Sequence, residues 1–212
     1  MTLAGIKLRI NTMIWKIRRC FIRIYYRNKL GGNNSQISVI SCNCTGGVVM
    51  SEFGMKFMTP TINLFFNASD FVKFCENLDY YLSLKPIDAG KGIDGYPIVK
   101  LGDIIINAVH YDSFDSFFNK WEERKKRVNM NKLFLIFSDR DGFESNLLPR
   151  IDKIPYPKVL FSNKNFEGYD FICKVPGYEG EETVGSVVDY IGITGKRVYS
   201  VYPFKRVFIS ML

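Results

Sequence analysis

The sequence predicts an α/β fold: a layered domain with a mostly parallel or mixed sheet flanked by helices, preceded by a basic amphipathic helix. Three observations carry that expectation. Short apolar runs at 37–42, 133–137 and 159–162 have the length and composition of buried strands. Helically spaced apolar residues fill the stretches between them, and strands alternating with helices build α/β layers. The charge is also uneven. Lys7, Arg9, Lys16, Arg18, Arg19, Arg23, Arg27 and Lys29 all precede the first acid, Glu52. The whole chain has 29 Lys plus Arg and 21 Asp plus Glu, so removing those eight leaves a balanced body.

Residues 1–30 are expected to form the basic helix, 31–36 a linker, and 37–212 the α/β domain, with room for two lobes. On a helical wheel Leu3, Ile6, Ile10, Met13, Ile14, Ile17, Phe21, Ile24 and Tyr25 form one apolar side. Arg9, Lys16, Arg19, Arg23 and Arg27 gather opposite, and Leu8, Trp15 and Ile22 make a second, narrower apolar row. Gly31, Gly32 and Asn33 suit a helix end. The charges are too frequent for a membrane span, and no compact apolar run precedes a small-residue cleavage site. Two placements remain open. The helix lies in the interface of an anionic membrane through residues 3–29, or it packs on its own domain. A nucleic-acid partner is not expected, because no recognisable module and no second basic patch accompany the leader.

At 212 residues, 47% hydrophobic and 15% aromatic, the chain suffices for a packed core. Cys20, Cys42, Cys44, Cys75 and Cys173 are odd in number and irregularly spaced, which predicts reduced thiols in a cytoplasmic protein. With a single histidine, His110, and no second nearby cysteine pair, structural zinc is not expected.

Along the body, residues 37–42 read as a strand running into a polar, glycine-bearing turn at 43–47. Residues 61–66 after Pro60 read as another strand. Asn67 or Ser69 can cap a helix over 70–83, whose buried face is Phe71, Phe74, Cys75 and Leu78. Residues 86–95 read as loop, then 97–101 and 104–109 as strands around a Gly102-Asp103 turn. Asp112 or Ser113 caps a helix to about 128, with Phe114, Phe117, Phe118 and Trp121 on its apolar face. Its basic end, Arg124 to Arg127, suits the helix dipole. After the strand at 133–137 come a helix through 147–151, strands at 159–162 and 170–174, a helix over 184–191 and a closing helix over 204–211.

Several landmarks stand together: Ile-Ser-Cys-Asn-Cys-Thr-Gly-Gly (40–47), Thr-Pro-Thr-Ile-Asn-Leu-Phe (59–65), Asp-Phe-Val-Lys-Phe (70–74), Tyr-Pro-Ile (96–98), His-Tyr (110–111), Trp121 with Arg124, and Phe-Ser-Asp-Arg-Asp-Gly (137–142). In this combination the chain resembles a bacterial family of unknown function whose members are commonly labelled exopolysaccharide biosynthesis proteins. The resemblance covers roughly residues 37–210 and leaves the leader outside. It implies a place in capsule or surface-polysaccharide assembly.

Ligands in open α/β sheets gather beyond the carboxyl ends of the strands. Asn43 to Gly47, His110-Tyr111 and Ser138 to Gly142 are all expected there. Asp139 and Asp141 are candidate catalytic and metal-holding residues, since two carboxylates around Arg140 can hold Mg²⁺ or Mn²⁺ against a nucleotide diphosphate. The same residues can simply cap a helix and make a turn. Asn43, Thr45, Gly46 and Gly47 can offer backbone N–H groups to a phosphate or sugar hydroxyl, although a tight turn is the simpler explanation for them. His110 is the candidate general base, or else a hydrogen-bonded histidine at a strand end. Tyr111, Trp121, Arg124 and Arg140 are candidate substrate contacts. Trp121 and Arg124 would act as a stacking platform and phosphate clamp, unless the Trp is core.

The functional expectation is a glycosyltransferase-like or sugar-modifying enzyme, acting on a sugar nucleotide or lipid-linked glycan at the cytoplasmic membrane face. The alternative is a non-catalytic carbohydrate-binding or scaffold protein of a polysaccharide assembly complex.

Overall fold

A computed structural model describes residues 3–30, 36–191 and 195–212, with the side chains of the first helix from Thr12 onward. The linker expected at 31–36, and the Gly31-Gly32-Asn33 helix stop, fall almost wholly outside the described residues.

The centre of the molecule is a four-stranded, fully parallel sheet. It is built from β1 (Ser38–Ser41), β5 (Leu133–Ser138), β6 (Lys158–Ser162) and β7 (Ile172–Lys174), in the order β1-β5-β6-β7. Every residue of β1 and β5 is buried. That is why these strands read as continuous apolar runs instead of alternating ones. The side chains still alternate between faces. Ile40, Leu133, Leu135, Phe137 and Leu160 enter one core, and Val39, Phe134, Ile136, Val159 and Phe161 enter the other.

Helices α3 (Ala68–Glu76), α4 (Leu78–Ser83), α5 (Phe114–Lys125) and α6 (Leu148–Lys153) contribute to the first core. A second, antiparallel sheet joins them: β2 (Ile87–Lys91), β3 (Pro97–Leu101) and β4 (Ile104–Asn107). The opposite core takes α1 (Leu3–Lys29), α2 (Thr45–Glu52) and α7 (Phe204–Ser210), with β8 (Tyr190–Ile191) pairing β9 (Lys196–Arg197) at its rim. The α/β class with a parallel sheet flanked by helices is therefore as expected.

Five local expectations differ from the structure. Residues 43–47 do not form a turn. Asn43 Oδ1 accepts from Thr45 N and Thr45 Oγ1 (3.0 and 2.7 Å), and α2 begins there. Its first turn lies so close to β1 that a Cβ on Gly46 would sit 2.8 Å from Ser41 Cβ. Residues 61–66 are not a strand. Asn63 adopts a positive φ of 62°, leaving a single bridge from Phe65 to Asn107. The segment still covers the free edge of β1, where Thr61 Oγ1 accepts from Ser41 N and Cys42 O accepts from Phe66 N.

The loop expected at 86–95 contains β2, which is wholly exposed and so carries no alternation to read. The helix expected over 184–191 does not form: a turn closed by Asp189 N to Ser186 O leads into β8. The segment is held by Val184 N to Asp139, Tyr199 N to Val187 O and Val198 N to Asp189 O. The helix expected over 70–83 is interrupted at Asn77 into α3 and α4.

The leader packs on the body, and through an unexpected face. Tyr26 and Leu30 are buried beside Met50 and Phe53 of the α2 region. Trp15 stacks on Tyr190, and Arg18 Nη1 donates to Gly195 O at 2.8 Å. Gly54, at φ +65°, lets the helix approach: a Cβ there would meet the Arg23 backbone oxygen at 3.0 Å. The narrow row containing Trp15 and Ile22 thus faces inward. Met13, Ile14, Ile17, Phe21, Ile24 and Tyr25 of the broad apolar row face solvent.

Candidate functional site

The carboxyl ends of β1 and β5 lie side by side, with Cys42 N donating to Ile136 O at 3.2 Å. Past the end of β1, between α1 and α2, opens a cleft of about 700 Å³. Lys16, Arg19 and Arg23 of α1, Arg124 of α5 and Arg197 of β9 line it, together with His110, Asn63, Gly47 and Ser51. Glu52 is its only carboxylate among the described residues.

Glu52 is already neutralised. It lies 3.7 Å from Arg18 Nη1 and 3.3 Å from Arg197 Nε, and it accepts a hydrogen bond from Tyr199 OH. Burial, reinforced by the charge of Glu52, pushes the Tyr199 phenol well above its ordinary range, so it stays a donor. Arg197 is held over the Tyr190 ring at 4.2 Å, and its Nη2 donates to Tyr190 OH at 2.9 Å. Arg19 lies 5.5 Å from the same ring, and its buried Nε has no hydrogen-bond partner among the described residues. Arg124 Nη1 donates to Tyr111 OH at 3.0 Å, and that hydroxyl donates onward to Ile62 O at 3.1 Å. The guanidinium also lies 5.9 Å from the Phe57 ring. These cations are therefore fixed by aromatic and hydrogen-bond supports, and only one acid offsets them. Such an arrangement favours an anion with several oxygens.

A second hollow of about 280 Å³ adjoins the cleft, with Cys44 lining both. Asn43, Thr45, Arg140 and Asp141 line this hollow. Asp141 has a positive φ of 64°, and its carbonyl accepts from Ala68 N at 2.9 Å. Burial raises its carboxyl above the ordinary range, with Arg140 opposing. Burial, with Asp141 adding to it, pushes the neighbouring Cys42 thiol up to about 12, so the thiol is inert.

The expected site residues thus separate. Gly47, His110 and Arg124 meet in the cleft, with Tyr111 behind Arg124. Asn43, Thr45, Arg140 and Asp141 meet in the adjoining hollow. Gly46, in the first turn of α2, is buried against β1, where it serves close packing. Asp139 and Asp141 do not act as a pair. Asp139 is 4% exposed; its Oδ2 accepts from Ser162 Oγ (2.7 Å) and Asn163 N (3.0 Å), and its Oδ1 from Val184 N (2.7 Å). It fastens β5 to β6 and to the 184–188 segment. Among the described residues no three His, Cys, Asp or Glu side chains gather as a metal cluster. Trp121 is not a stacking platform. At 1% exposure it lies in the core against Phe74 and Phe117.

Sequence reading missed Lys16, Arg19 and Arg23 as cleft residues, along with Arg197 and Asn63. The basic row of the leader was visible as a helical stripe. Nothing local said that it turns toward the body.

The chain matches the family described as "Domain of unknown function (DUF1919)" over residues 13–207. The match therefore takes in most of α1, which the earlier expectation had left outside. An uncharacterized protein of Haemophilus influenzae (strain Rd) is 29% identical over 201 residues, spanning 94% of this chain and 96% of that protein.

Proposed function

The chain belongs to the DUF1919 family, and from that premise we propose that it is an enzyme of bacterial surface-polysaccharide assembly. It takes a phosphate-bearing sugar, a sugar nucleotide or a lipid-linked glycan, at the cytoplasmic face of the membrane. The pathway rests on the sequence resemblance to proteins labelled for exopolysaccharide biosynthesis. The substrate chemistry rests on one observation: Lys16, Arg19, Arg23 and Arg124 converge on a cleft whose one carboxylate among the described residues, Glu52, is paired with Arg18 and Arg197.

In this reading Arg19, Arg23, Arg124 and Lys16 neutralise the phosphates and the charge that grows on them as a leaving group. His110, exposed at the cleft wall, takes the proton from an acceptor hydroxyl while that oxygen bonds to the sugar carbon and the bond to the phosphate oxygen breaks. The phosphate charge is balanced by these side chains, because the Asp139 carboxylate is occupied by its three donors. Asp141 remains as the accessible carboxylate should a divalent cation accompany the substrate. Asn43 and Thr45 border the adjoining hollow, where the sugar or acceptor would extend.

Thermal denaturation with UDP, UDP-sugars and inorganic pyrophosphate tests the reading. Ligand at tenfold its Kd stabilises by about 1.4 kcal/mol, or roughly 3–6 °C for a domain of this size. The shift is expected without added Mn²⁺ and is lost in Arg124→Ala. Sugar release in wild type but not in His110→Ala supports catalysis, whereas binding without any turnover favours a carbohydrate-binding scaffold. No shift with any phosphorylated sugar overturns the proposal.

A further inference from the structure

We infer that α1 docks the protein on an anionic lipid bilayer, through the apolar stripe it turns away from the body. Met13, Ile14, Ile17, Phe21, Ile24 and Tyr25 are each between 41% and 70% exposed. Their spacing of three and four residues places them on one face of a continuous helix, over about 18 Å of its length. Six large apolar side chains contiguous on one helix differ from the scattered apolar residues any surface shows.

The charges around the stripe identify the occupant. On the helical wheel Lys16, Arg23 and Arg27 run along one flank and Lys29 along the other, and all four are exposed. Lys29 Nζ lies 5.2 Å from the Tyr25 ring, at the end of the stripe. No acid occurs before Glu52. A second copy docking stripe to stripe would bring two wholly basic helices together with no carboxylate between them. Anionic headgroups accept these cations, while the apolar side chains enter the acyl boundary. No described helix is long and apolar enough to cross a membrane, so the helix lies in the interface plane. The roles of its faces are inverted relative to a helix packed by its broad apolar side. Trp15, Ile22, Tyr26 and Leu30 hold the body, Lys16, Arg19 and Arg23 also wall the cleft, and the broad stripe is left for lipid.

This inference shares Lys16 and Arg23 with the proposed reaction, at the border of cleft and stripe, and is tested separately from it. Its test is co-sedimentation of the full chain with vesicles, with no sugar ligand present. The vesicles are pure phosphatidylcholine, or phosphatidylcholine with phosphatidylglycerol. The variants are Phe21→Ser and Ile17→Ser with Phe21→Ser; both positions are exposed and outside the cleft, and an unchanged melting temperature verifies their fold. Wild type is expected to pellet with the anionic vesicles and less at high salt, and the double variant to bind roughly tenfold more weakly or worse. Wild type left in the supernatant, or variants that pellet equally, overturns the inference. So does a wild-type dimer in sedimentation velocity that the variants convert to monomer without any vesicle binding.

Discussion

Trp15 and Tyr190 stack with ring centroids 4.5 Å apart and planes inclined by 20°. The contact joins the first helix to the β8–β9 ribbon, 175 residues later in the chain. On the Tyr190 ring also rest Arg197 and Arg19, so one aromatic residue sets the position of the leader and of two cleft cations. The α1 side of the cleft and its Arg197 wall are therefore one mechanical unit.

That unit predicts coupling. Trp15→Ala and Tyr190→Leu should each lower stability, and in a double-mutant cycle their effects should fall short of additivity by about 0.5–1.5 kcal/mol. Urea denaturation of the four proteins measures it. Strict additivity would show that the stack does not hold α1 in place.

Gly46→Ala should destabilise in spite of the better helix propensity of alanine. The propensity gain is at most about 1 kcal/mol. The new Cβ would meet Ser41 Cβ at 2.8 Å, on a strand whose backbone is fixed in the sheet. Overpacking of this kind costs about 1–3 kcal/mol, so the net loss should reach about 2 kcal/mol, read from a lowered urea midpoint at unchanged slope. A neutral result would mean that α2 can lift from β1 without cost.

Asp139→Asn keeps the size of the side chain but presents an NH₂ where only acceptors fit. Ser162, Asn163 and Val184 all donate to this carboxylate, and at least one backbone N–H is left unpaired. The expected loss is about 2–4 kcal/mol. Calorimetry on the folded variant should still record pyrophosphate binding. Intact stability with abolished binding would instead give Asp139 a direct role at the ligand.

Asp141→Asn should stabilise at neutral pH. Burial raises the folded-state pKa of Asp141 above its ordinary value of 3.8, so the folded protein holds the proton more tightly than the unfolded chain does. Ionising it penalises the folded state as pH rises through that window, and the full penalty persists above it. Below about pH 4 both states are protonated and the penalty is absent. Asparagine tolerates the positive φ at this position and carries no charge. The variant's advantage in chemical denaturation should therefore be largest near pH 7 and vanish below about pH 4. An advantage independent of pH would assign it to something other than the charge.

Much of this architecture was legible because buried strands and amphipathic helices leave periodic traces. The runs at 37–42 and 133–137, and the helix capped by Ser113, are local in origin: Ser113 Oγ accepts from Ser116 N at 3.2 Å. Part of the rest was hidden by long-range bonding that overrides local preference, and β2 by an exposure that leaves no alternation. Val184 to Ile191 has helical spacing, but bonds to Asp139 and to residues 198–199 take its backbone out of the helix. Trp121 and Arg124 are three apart, yet the Trp enters the core while the Arg reaches Tyr111. The cleft was half visible. Of the three segments assigned to a common rim, Gly47 and His110 do line the cleft while Arg140 and Asp141 line the adjoining hollow; an amphipathic helix shows two faces without saying which one the body takes.

The most direct test is a crystal structure of the full chain with UDP or inorganic pyrophosphate bound. The account predicts phosphate oxygens about 3 Å from the guanidinium groups of Arg124 and Arg19, beside α1 and His110. Phosphate seated away from this cleft at saturating concentration, or a cleft that stays vacant while the ligand is bound elsewhere, would contradict it.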